Sequence, residues 1–160
     1  MKQKEQFVYG YCLCQWGKVL GVKSDKGLMK LALVDEEQPI DEPNYSRNDE
    51  QIKTIVANLD KPDFNFQTIK LDLRGTDFQC NVWQELLKIP FGQKVCYEDI
   101  AKKLNTKAVR AVGSAVKKNP VAFIVPCHRV IRKSGDTGNY FYGRALKEQI
   151  LLWEKQMAKR

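Results

Sequence analysis

The stretch RAVGSAVKKNPVAFIVPCHRVI, residues 110–131, holds the only histidine of a 160-residue chain. Its first part is rich in small and basic residues and stops at Pro120, which cannot continue a helix. Residues 121–131 are mostly apolar, and they include the adjacent pair Cys127 and His128. The order predicts a helix, then a buried segment, then a Cys–His pair where the chain leaves the core.

Cys127 and His128 are candidates for nucleophilic chemistry, because a cysteine attacks as its thiolate and needs a base or a positive charge nearby. Neighbouring side chains point to opposite faces in a strand, whereas in a turn they can approach each other directly or through a water. A histidine base also needs an orienting partner, and residues 102–160 contain only three acidic residues, Asp136, Glu148 and Glu154. Glu154 follows three apolar residues, so we expect it to be partly buried. The residues alone leave two interpretations open: a Cys–His–Glu site, or a structural cysteine with a surface histidine and a surface glutamate.

Two short helices are predicted before the Cys–His pair. Residues 97–104, YEDIAKKL, form one, and a second runs from the polar connection NTK to Asn119. The pair fits a helix-turn-helix, with an ordinary αα-hairpin as the alternative. Residues 102–160 carry 14 basic and 3 acidic side chains, whereas residues 1–101 carry 13 basic and 16 acidic ones. This asymmetry favours a partner that is a polyanion, with a merely solvated basic surface as the alternative.

The first half of the chain has the pattern of β-strands. Residues 7–34 alternate in polarity around the turn sequence SDKG at 24–27, which predicts an antiparallel meander. The pattern then predicts a loop over 35–49, a helix over 50–60, a strand over 67–73, and helices from Thr76 to Pro90 and over 144–158. A change of composition near residues 74–76 predicts two domains, 1–74 and 75–160.

The cysteines and the hydropathy indicate the class of protein. There are five cysteines without a CxxC pair, which predicts free thiols in a reducing compartment and no metal site. Cys12 and Cys14 fall on one face of a strand and are expected to be core residues. No apolar run is long enough for a membrane span or a signal peptide. We expect a soluble protein of the cytoplasm, or of the nucleus if the source is eukaryotic.

From Phe78 to Glu154 the chain resembles the O6-alkylguanine-DNA alkyltransferases, also called methylated-DNA–protein-cysteine methyltransferases. The resemblance is carried by FQCNVWQELLKIPFG, VCYEDIAKKLN, RAVGSAVKKNP, IVPCHRVI, GNY and KEQILLWE, which occur in the family's order. It implies an α/β (α+β) fold. Residues 1–74 would form an RNase H-like domain with a small antiparallel sheet, and residues 75–160 a mainly helical domain with a winged helix-turn-helix.

The resemblance implies DNA repair by direct damage reversal. A flipped-out O6-alkylguanine of duplex DNA, and O4-methylthymine as well, would give its alkyl group irreversibly to Cys127, so that each molecule reacts once. A non-catalytic lesion-binding module of the same fold is the alternative, although such relatives lack the acceptor cysteine. A cysteine hydrolase would have no reason for a basic helix pair, and a transcriptional regulator fits the small-residue helix poorly.

The resemblance also assigns roles to single residues. Cys127 would accept the alkyl group. His128 would act as base through a water, and Glu154 would orient His128. Tyr140 would donate a hydrogen bond or a proton to the departing guanine, and Asn119 would hold the backbone of the site in place. Arg110 would fill the gap that the flipped nucleotide leaves in the duplex, and Tyr97 would contact the target phosphate. Lys117 and Lys118 would bind phosphates. The helix would approach DNA closely through its small residues Ala108, Ala111, Gly113, Ser114 and Ala115. The substrate pocket would be formed by Pro126, Val130, Phe141 and Tyr142.

Three further expectations follow from the resemblance. The partner would be double-stranded DNA approached through the minor groove, where small residues allow close contact. The protein would act as a monomer, without cofactor, metal or membrane. Phe141 and Tyr142 stand where many family members have small residues, so bulky O6 substituents such as benzyl should react poorly.

Overall fold

The computed structural model describes residues 4–62 and 68–159 and divides the chain into two compact units. The first unit contains the described residues up to Arg74 together with Pro120–Ala122. The second contains Gly75–Asn119 and the chain from Phe123 onward. Every residue that the sequence assigned to the site lies in the second unit.

The first unit is built on a four-stranded sheet in the order β3-β2-β1-β4. Its strands are β1 (Phe7–Cys14), β2 (Gly17–Ser24), β3 (Gly27–Leu33) and β4 (Tyr45–Arg47). The antiparallel meander of β1, β2 and β3 is confirmed. The expectation of a purely antiparallel sheet is wrong, because β4 pairs with β1 in parallel. β4 lies inside the stretch predicted as a loop, where backbone bonds Phe7 N to Asn44 O (2.9 Å) and Asn48 N to Tyr9 O (2.8 Å) flank it.

Helix α1 (Asp49–Val56) follows β4 and packs on β1. Asn48 caps it by accepting from Gln51 N, and the chain continues as a 3-10 turn over Ala57–Asp60, so the predicted helix over 50–60 is confirmed. The strand predicted over 67–73 is wrong in its described part, which makes a single bridge from Leu71 to Leu28. Gln67 lies outside the described residues.

Cys12 and Cys14 are half-buried and flank the exposed Leu13. They share one face of β1, as the alternation predicts, but they are not fully buried core residues. Both lie near the end of β1, beyond the residues Phe7–Tyr9 with which β4 pairs.

The second unit holds four helices and one small ladder. The helices are α2 (Asp77–Leu86), α3 (Tyr97–Lys103), α4 (Val109–Lys117) and α5 (Arg144–Ala158), and the ladder pairs β5 (Val95–Cys96) with β6 (Val130–Ile131) in parallel. All four helices were predicted from the sequence. Thr76 and Gln79 form a capping box at the start of α2, and α2 is joined to α4 by a 2.9 Å hydrogen bond from Trp83 Nε1 to the Ala115 carbonyl.

Helices α3 and α4 meet through a tight connection. Asn105 has a positive φ of 55°, a conformation that asparagine tolerates better than most residues. Thr106 N donates to Ala101 O at 3.0 Å, which closes the end of α3. Within the described residues, no helix has the length and apolar character that a membrane span requires.

Candidate active site

A short 3-10 turn, Cys127–Arg129, presents the cysteine and the histidine of the opening stretch. It lies between a buried apolar segment and β6, so both of its ends are fixed. Phe123 in that segment is 5% exposed and has a positive φ of 69°. Because such a backbone is unfavourable for a bulky residue, only firm packing on both sides can hold it.

The thiol of Cys127 is half-buried and faces a cavity of about 740 Å³. Asn119 lies beside it: the amide donates to the Val125 carbonyl at 2.7 Å and also forms a side-chain hydrogen bond with the thiol. Burial raises the pKa of the Cys127 thiol, while the bond with Asn119 and the positive charge of Lys147 act in the opposite direction. The resting sulfur is therefore a protonated thiol with groups at hand that favour its ionisation.

His128 and Glu154 form a buried hydrogen-bonded pair. They are 1% and 3% exposed, and Nε2 of His128 lies 2.5 Å from Oε1 of Glu154. An ionised carboxylate can only accept, so Nε2 carries the hydrogen and Nδ1 has the lone pair. Nδ1 is buried and has no hydrogen-bond partner among the residues that the structure describes. The interpretation of both as surface groups does not fit this geometry.

The charge states of this pair follow from its surroundings. Burial lowers the pKa of the His128 imidazole below its ordinary value of 6.5 and outweighs the bond with Glu154, which acts in the opposite direction. Burial alone would raise the pKa of the Glu154 carboxyl, but the bonds from His128 and Arg129 prevail, and the pKa lies below its usual range. At neutral pH the pair is a neutral imidazole and a carboxylate.

Arg129 is the third member of the turn, and it points toward Glu154. Its Nε lies 2.8 Å from Oε2 and 3.2 Å from Oε1 of Glu154, and one terminal nitrogen donates to the Ile89 carbonyl at 2.7 Å. Arg129 follows His128 directly in the sequence, and its contact with Glu154 was not predicted.

Lys147 is a second site residue that sequence reasoning missed. It is 1% exposed, and its Nζ donates to the Val130 carbonyl at 2.7 Å and to the Asn139 carbonyl at 3.2 Å. Burial lowers the pKa of Lys147 to about 8. The signal that could have found it is its spacing on α5, since Lys147 lies three and seven residues before the buried Ile150 and Glu154.

Aromatic side chains form one wall of the cavity. Tyr140 and Phe141 line it, and the ring of Tyr142 packs edge-on against both, at 5.6 and 5.0 Å between centroids. The hydroxyl of Tyr140 is buried without a hydrogen-bond partner within the described ranges, and burial holds its pKa well above the usual range. Phe141 is 71% exposed, so it lies at the mouth and leaves the interior of the cavity unfilled.

Of the four residues expected in the substrate pocket, Phe141 lines the cavity. Pro126 and Val130 are buried, and the ring of Tyr142 packs against the two aromatic rings that line the cavity. The cavity is also lined by residues that the sequence did not single out, namely Val116, Arg132, Asn139, Gly143 and Arg144.

Helix α4 connects an exposed basic face with the cavity. The exposed residues of the predicted DNA-binding set are Ala108, Arg110, Ala111, Ser114, Lys117 and Lys118. Gly113, Lys117 and Tyr97 line the cavity. The expectation that Ala115 contacts DNA is wrong, because Ala115 is 3% exposed and lies toward α2, where Trp83 donates a hydrogen bond to its carbonyl.

The chain is similar to proteins of one known family. Residues 77–156 match the family model described as 6-O-methylguanine DNA methyltransferase, DNA binding domain. The chain is 37% identical over 146 residues to a methylated-DNA--protein-cysteine methyltransferase of Methanosarcina mazei, covering 88% of this chain and 92% of that protein. It is 33% identical over 165 residues to the bifunctional transcriptional activator/DNA repair enzyme Ada of Escherichia coli, covering 95% of this chain.

The relatives differ in length from this chain. It spans 46% of the Escherichia coli Ada protein and 61% of a probable methyltransferase of Acanthamoeba polyphaga mimivirus. Among solved structures, the crystal structure of Mycobacterium tuberculosis OGT in complex with DNA is similar, with a TM-score of 0.81 and 31% identity over 94% of each chain.

Proposed function

We infer, because this chain belongs to the 6-O-methylguanine DNA methyltransferase family, that it repairs DNA by direct damage reversal. The alkyl group of O6-alkylguanine, and of O4-methylthymine as well, passes irreversibly to Cys127. Each molecule reacts once, as a single-turnover methylated-DNA--protein-cysteine methyltransferase.

One observation carries this proposal: the thiol of Cys127 opens into the cavity of about 740 Å³, and His128 next to it is bonded to the buried Glu154. A cavity of this size accepts a nucleobase, whereas a half-buried thiol cannot reach O6 of a stacked guanine. The target nucleotide must therefore leave the duplex before it reacts.

The chemical step balances once exchange of protons with solvent is included. Sulfur attacks the alkyl carbon in line, so an S–C bond forms while the C–O6 bond breaks and its electron pair passes to the guanine. The thiol proton moves through a water to Nδ1 of His128, while Glu154 holds the imidazole at Nε2. Tyr140 donates a hydrogen bond to the departing guanine, which takes one proton from solvent, while His128 returns to solvent the proton that it received from the thiol. The products are a thioether and guanine.

Duplex DNA is the proposed partner, bound through its minor groove by α3 and α4 acting as a winged helix-turn-helix. Arg110 fills the gap left by the flipped nucleotide, Tyr97 meets the target phosphate, and Lys117 and Lys118 bind neighbouring phosphates. The exposed small residues of α4 support close approach of the helix to the groove.

The remaining parts of the proposal concern the whole chain. Residues 1–74 are an RNase H-like domain, and residues 75–160 form the DNA-binding and alkyl-acceptor domain. The protein acts as a monomer in the compartment that holds the cell's DNA, the cytoplasm in a prokaryote and the nucleus in a eukaryote.

The test is mass spectrometry of the peptide that contains Cys127 after incubation with duplex DNA bearing one O6-methylguanine. The proposal expects a stoichiometric gain of one methylene at Cys127, and no transfer by Cys127→Ser despite intact DNA binding. Binding of the lesion without any mass gain would instead support a non-catalytic lesion-binding module.

A further inference from the structure

Arg129 makes three contacts that join the acceptor turn, the 3-10 turn Cys127–Arg129, to the rest of the second unit. Its Nε bridges both carboxylate oxygens of Glu154, at 2.8 and 3.2 Å. A terminal nitrogen donates to the Ile89 carbonyl at 2.7 Å, and the guanidinium lies 5.6 Å from the centroid of the Phe91 ring. The residue is 4% exposed, so these contacts replace its hydration completely.

Glu154 is fixed by this arrangement from several directions. Oε1 faces Nε2 of His128, Oε2 faces Arg129, and the Gly92 amide lies 3.5 Å from Oε2. A guanidinium that is itself held by a carbonyl and a ring cannot follow a moving carboxylate, so Glu154 stays in one orientation.

The charge of Glu154 explains why a cation is needed beside it. A buried carboxylate without a compensating cation is costly, and it would draw a proton onto the nearest base. Next to Glu154 that base is His128. An imidazolium has no lone pair at Nδ1, so a histidine charged in this way cannot accept the proton of a thiol.

We propose that Arg129 is a positioning residue that neutralises and immobilises Glu154, so that His128 rests as a neutral imidazole with Nδ1 available to the proton of Cys127. The proposal rests on the alkyl-transfer function proposed above and assigns to Arg129 the role of setting the charge state of the base. Arg129 itself touches neither the thiol proton nor the alkyl group.

The groups that act on His128 come from two elements. Glu154 and Lys147 belong to α5, and Arg129 belongs to the same turn as His128. Glu154 favours the imidazolium, whereas Arg129 and Lys147 disfavour it in addition to burial. Removing the charge of Arg129 should therefore raise the pKa of His128, and removing the charge of Glu154 should lower it.

The chain has one histidine, so its imidazole signals in NMR spectra belong to His128 without further assignment. A pH titration of these signals in the whole protein tests the proposal directly. The wild-type midpoint should lie below 6.5. In Arg129→Gln the midpoint should rise by about one pH unit, whereas Arg129→Lys, which keeps the charge and loses the planar fork, should stay near the wild type. Lys155→Gln, on the exposed side of α5, is the control for loss of one positive charge.

The outcomes separate a charge role from a packing role. Equal midpoints in Arg129→Gln and Arg129→Lys, or no rise in Arg129→Gln, would overturn the proposal. If Arg129→Gln does not fold, the wild type still decides: ¹⁵N shifts at about pH 7 must report a neutral imidazole with hydrogen on Nε2, and an imidazolium there would reject the proposal.

Transfer kinetics give a second readout. As the pH is lowered, the rate of methyl transfer should begin to fall at a higher pH in Arg129→Gln than in the wild type. The difference in pH should equal the shift of the His128 titration midpoint. A wild type that transfers no methyl group contradicts the proposed function, whereas an active wild type whose pH profile is unchanged in Arg129→Gln contradicts only the role of Arg129.

Discussion

Lys147 ties together the two chain segments on either side of the cavity. Val130 follows the acceptor turn and Asn139 precedes Tyr140, and both give their carbonyls to the same buried ammonium group. With a pKa of about 8, this ammonium is mostly charged at neutral pH. It therefore supplies the positive charge that a forming thiolate needs in a site where burial opposes ionisation.

Lys147→Met should make Cys127 a slower nucleophile. Loss of the cation raises the pKa of the thiol, and each unit of that rise cuts the thiolate fraction about tenfold. The measurement is the rate of iodoacetamide modification of the Cys127 peptide by mass spectrometry, with Lys155→Met as the exposed control on the same helix. Thermal unfolding of both variants checks the fold, and a folded Lys147→Met with unchanged alkylation would refute this role.

Phe141 should control the size of the alkyl group at the mouth of the cavity. We expect slow labelling by benzylguanine in the wild type, and in Phe141→Ser an increase of about tenfold or more relative to methyl transfer, because a ring at the entrance is removed. The comparison uses competing rates on benzylguanine and O6-methylguanine DNA, with Leu152→Ser as a control for an exposed apolar residue. Benzyl labelling of the wild type as fast as methyl transfer would contradict the expectation.

At the residue scale, the sequence pointed to Cys127, His128 and Glu154 as candidates, largely through a motif resemblance. Arg129 and Lys147 were missed because basic residues are normally exposed and no local pattern reveals the buried carboxylate or carbonyls that hold them, although Lys147 has the spacing of the buried face of α5. Pairing of this kind arises only when α5 packs against the acceptor turn.

Among the elements, helices were far more predictable than short strands. The apolar spacing of α5 gave its bounds as 144–158, which the structure reproduces. β4 has three residues and is held as a parallel partner of β1, so nothing in its own composition indicates a strand. Ala115 was misjudged because small residues on α4 serve two faces, one exposed and one packed against α2.

Arg110→Ala should affect reaction with duplex DNA more than reaction with a free base. Arg110 is exposed on the first turn of α4, the position proposed for the gap-filling side chain, and only a duplex requires extrusion of the nucleotide. Because extrusion costs a few kcal/mol, we expect repair of duplex DNA to slow by about tenfold or more while alkylation by free O6-methylguanine stays unchanged. An equal loss on both substrates would argue for damage to the site itself.

For the whole molecule, the net charge of +8 is concentrated in the C-terminal part of the chain. Among the described residues of the second unit, Arg110 and Lys117 are exposed on α4, and Lys118 is exposed at its C-terminal cap. Contacts of this kind bind phosphates without reading sequence, which fits the proposed function of repairing lesions anywhere in duplex DNA.

Affinity for undamaged duplex DNA should therefore fall steeply with salt. Replacing Lys117 and Lys118 together by Gln should reduce the slope of log K against log salt by about 2, since each phosphate contact contributes about 0.9. Fluorescence anisotropy at several salt concentrations measures the slope, and Lys53→Gln with Lys61→Gln, both exposed in the first unit, is the matched control. An unchanged slope in the Lys117 and Lys118 variant would show that these two lysines at the end of α4 do not contact DNA phosphates.

The closeness of Asn119 and Lys147 to the thiol has a consequence for the molecule after it has reacted. A thioether cannot ionise and is only a weak acceptor, so the hydrogen bond from Asn119 to sulfur weakens and Lys147 can no longer be paired with a thiolate. If Cys127 is alkylated as proposed, we therefore expect the used molecule to be less stable than the unused one, and its unfolded form to be more often exposed to proteases.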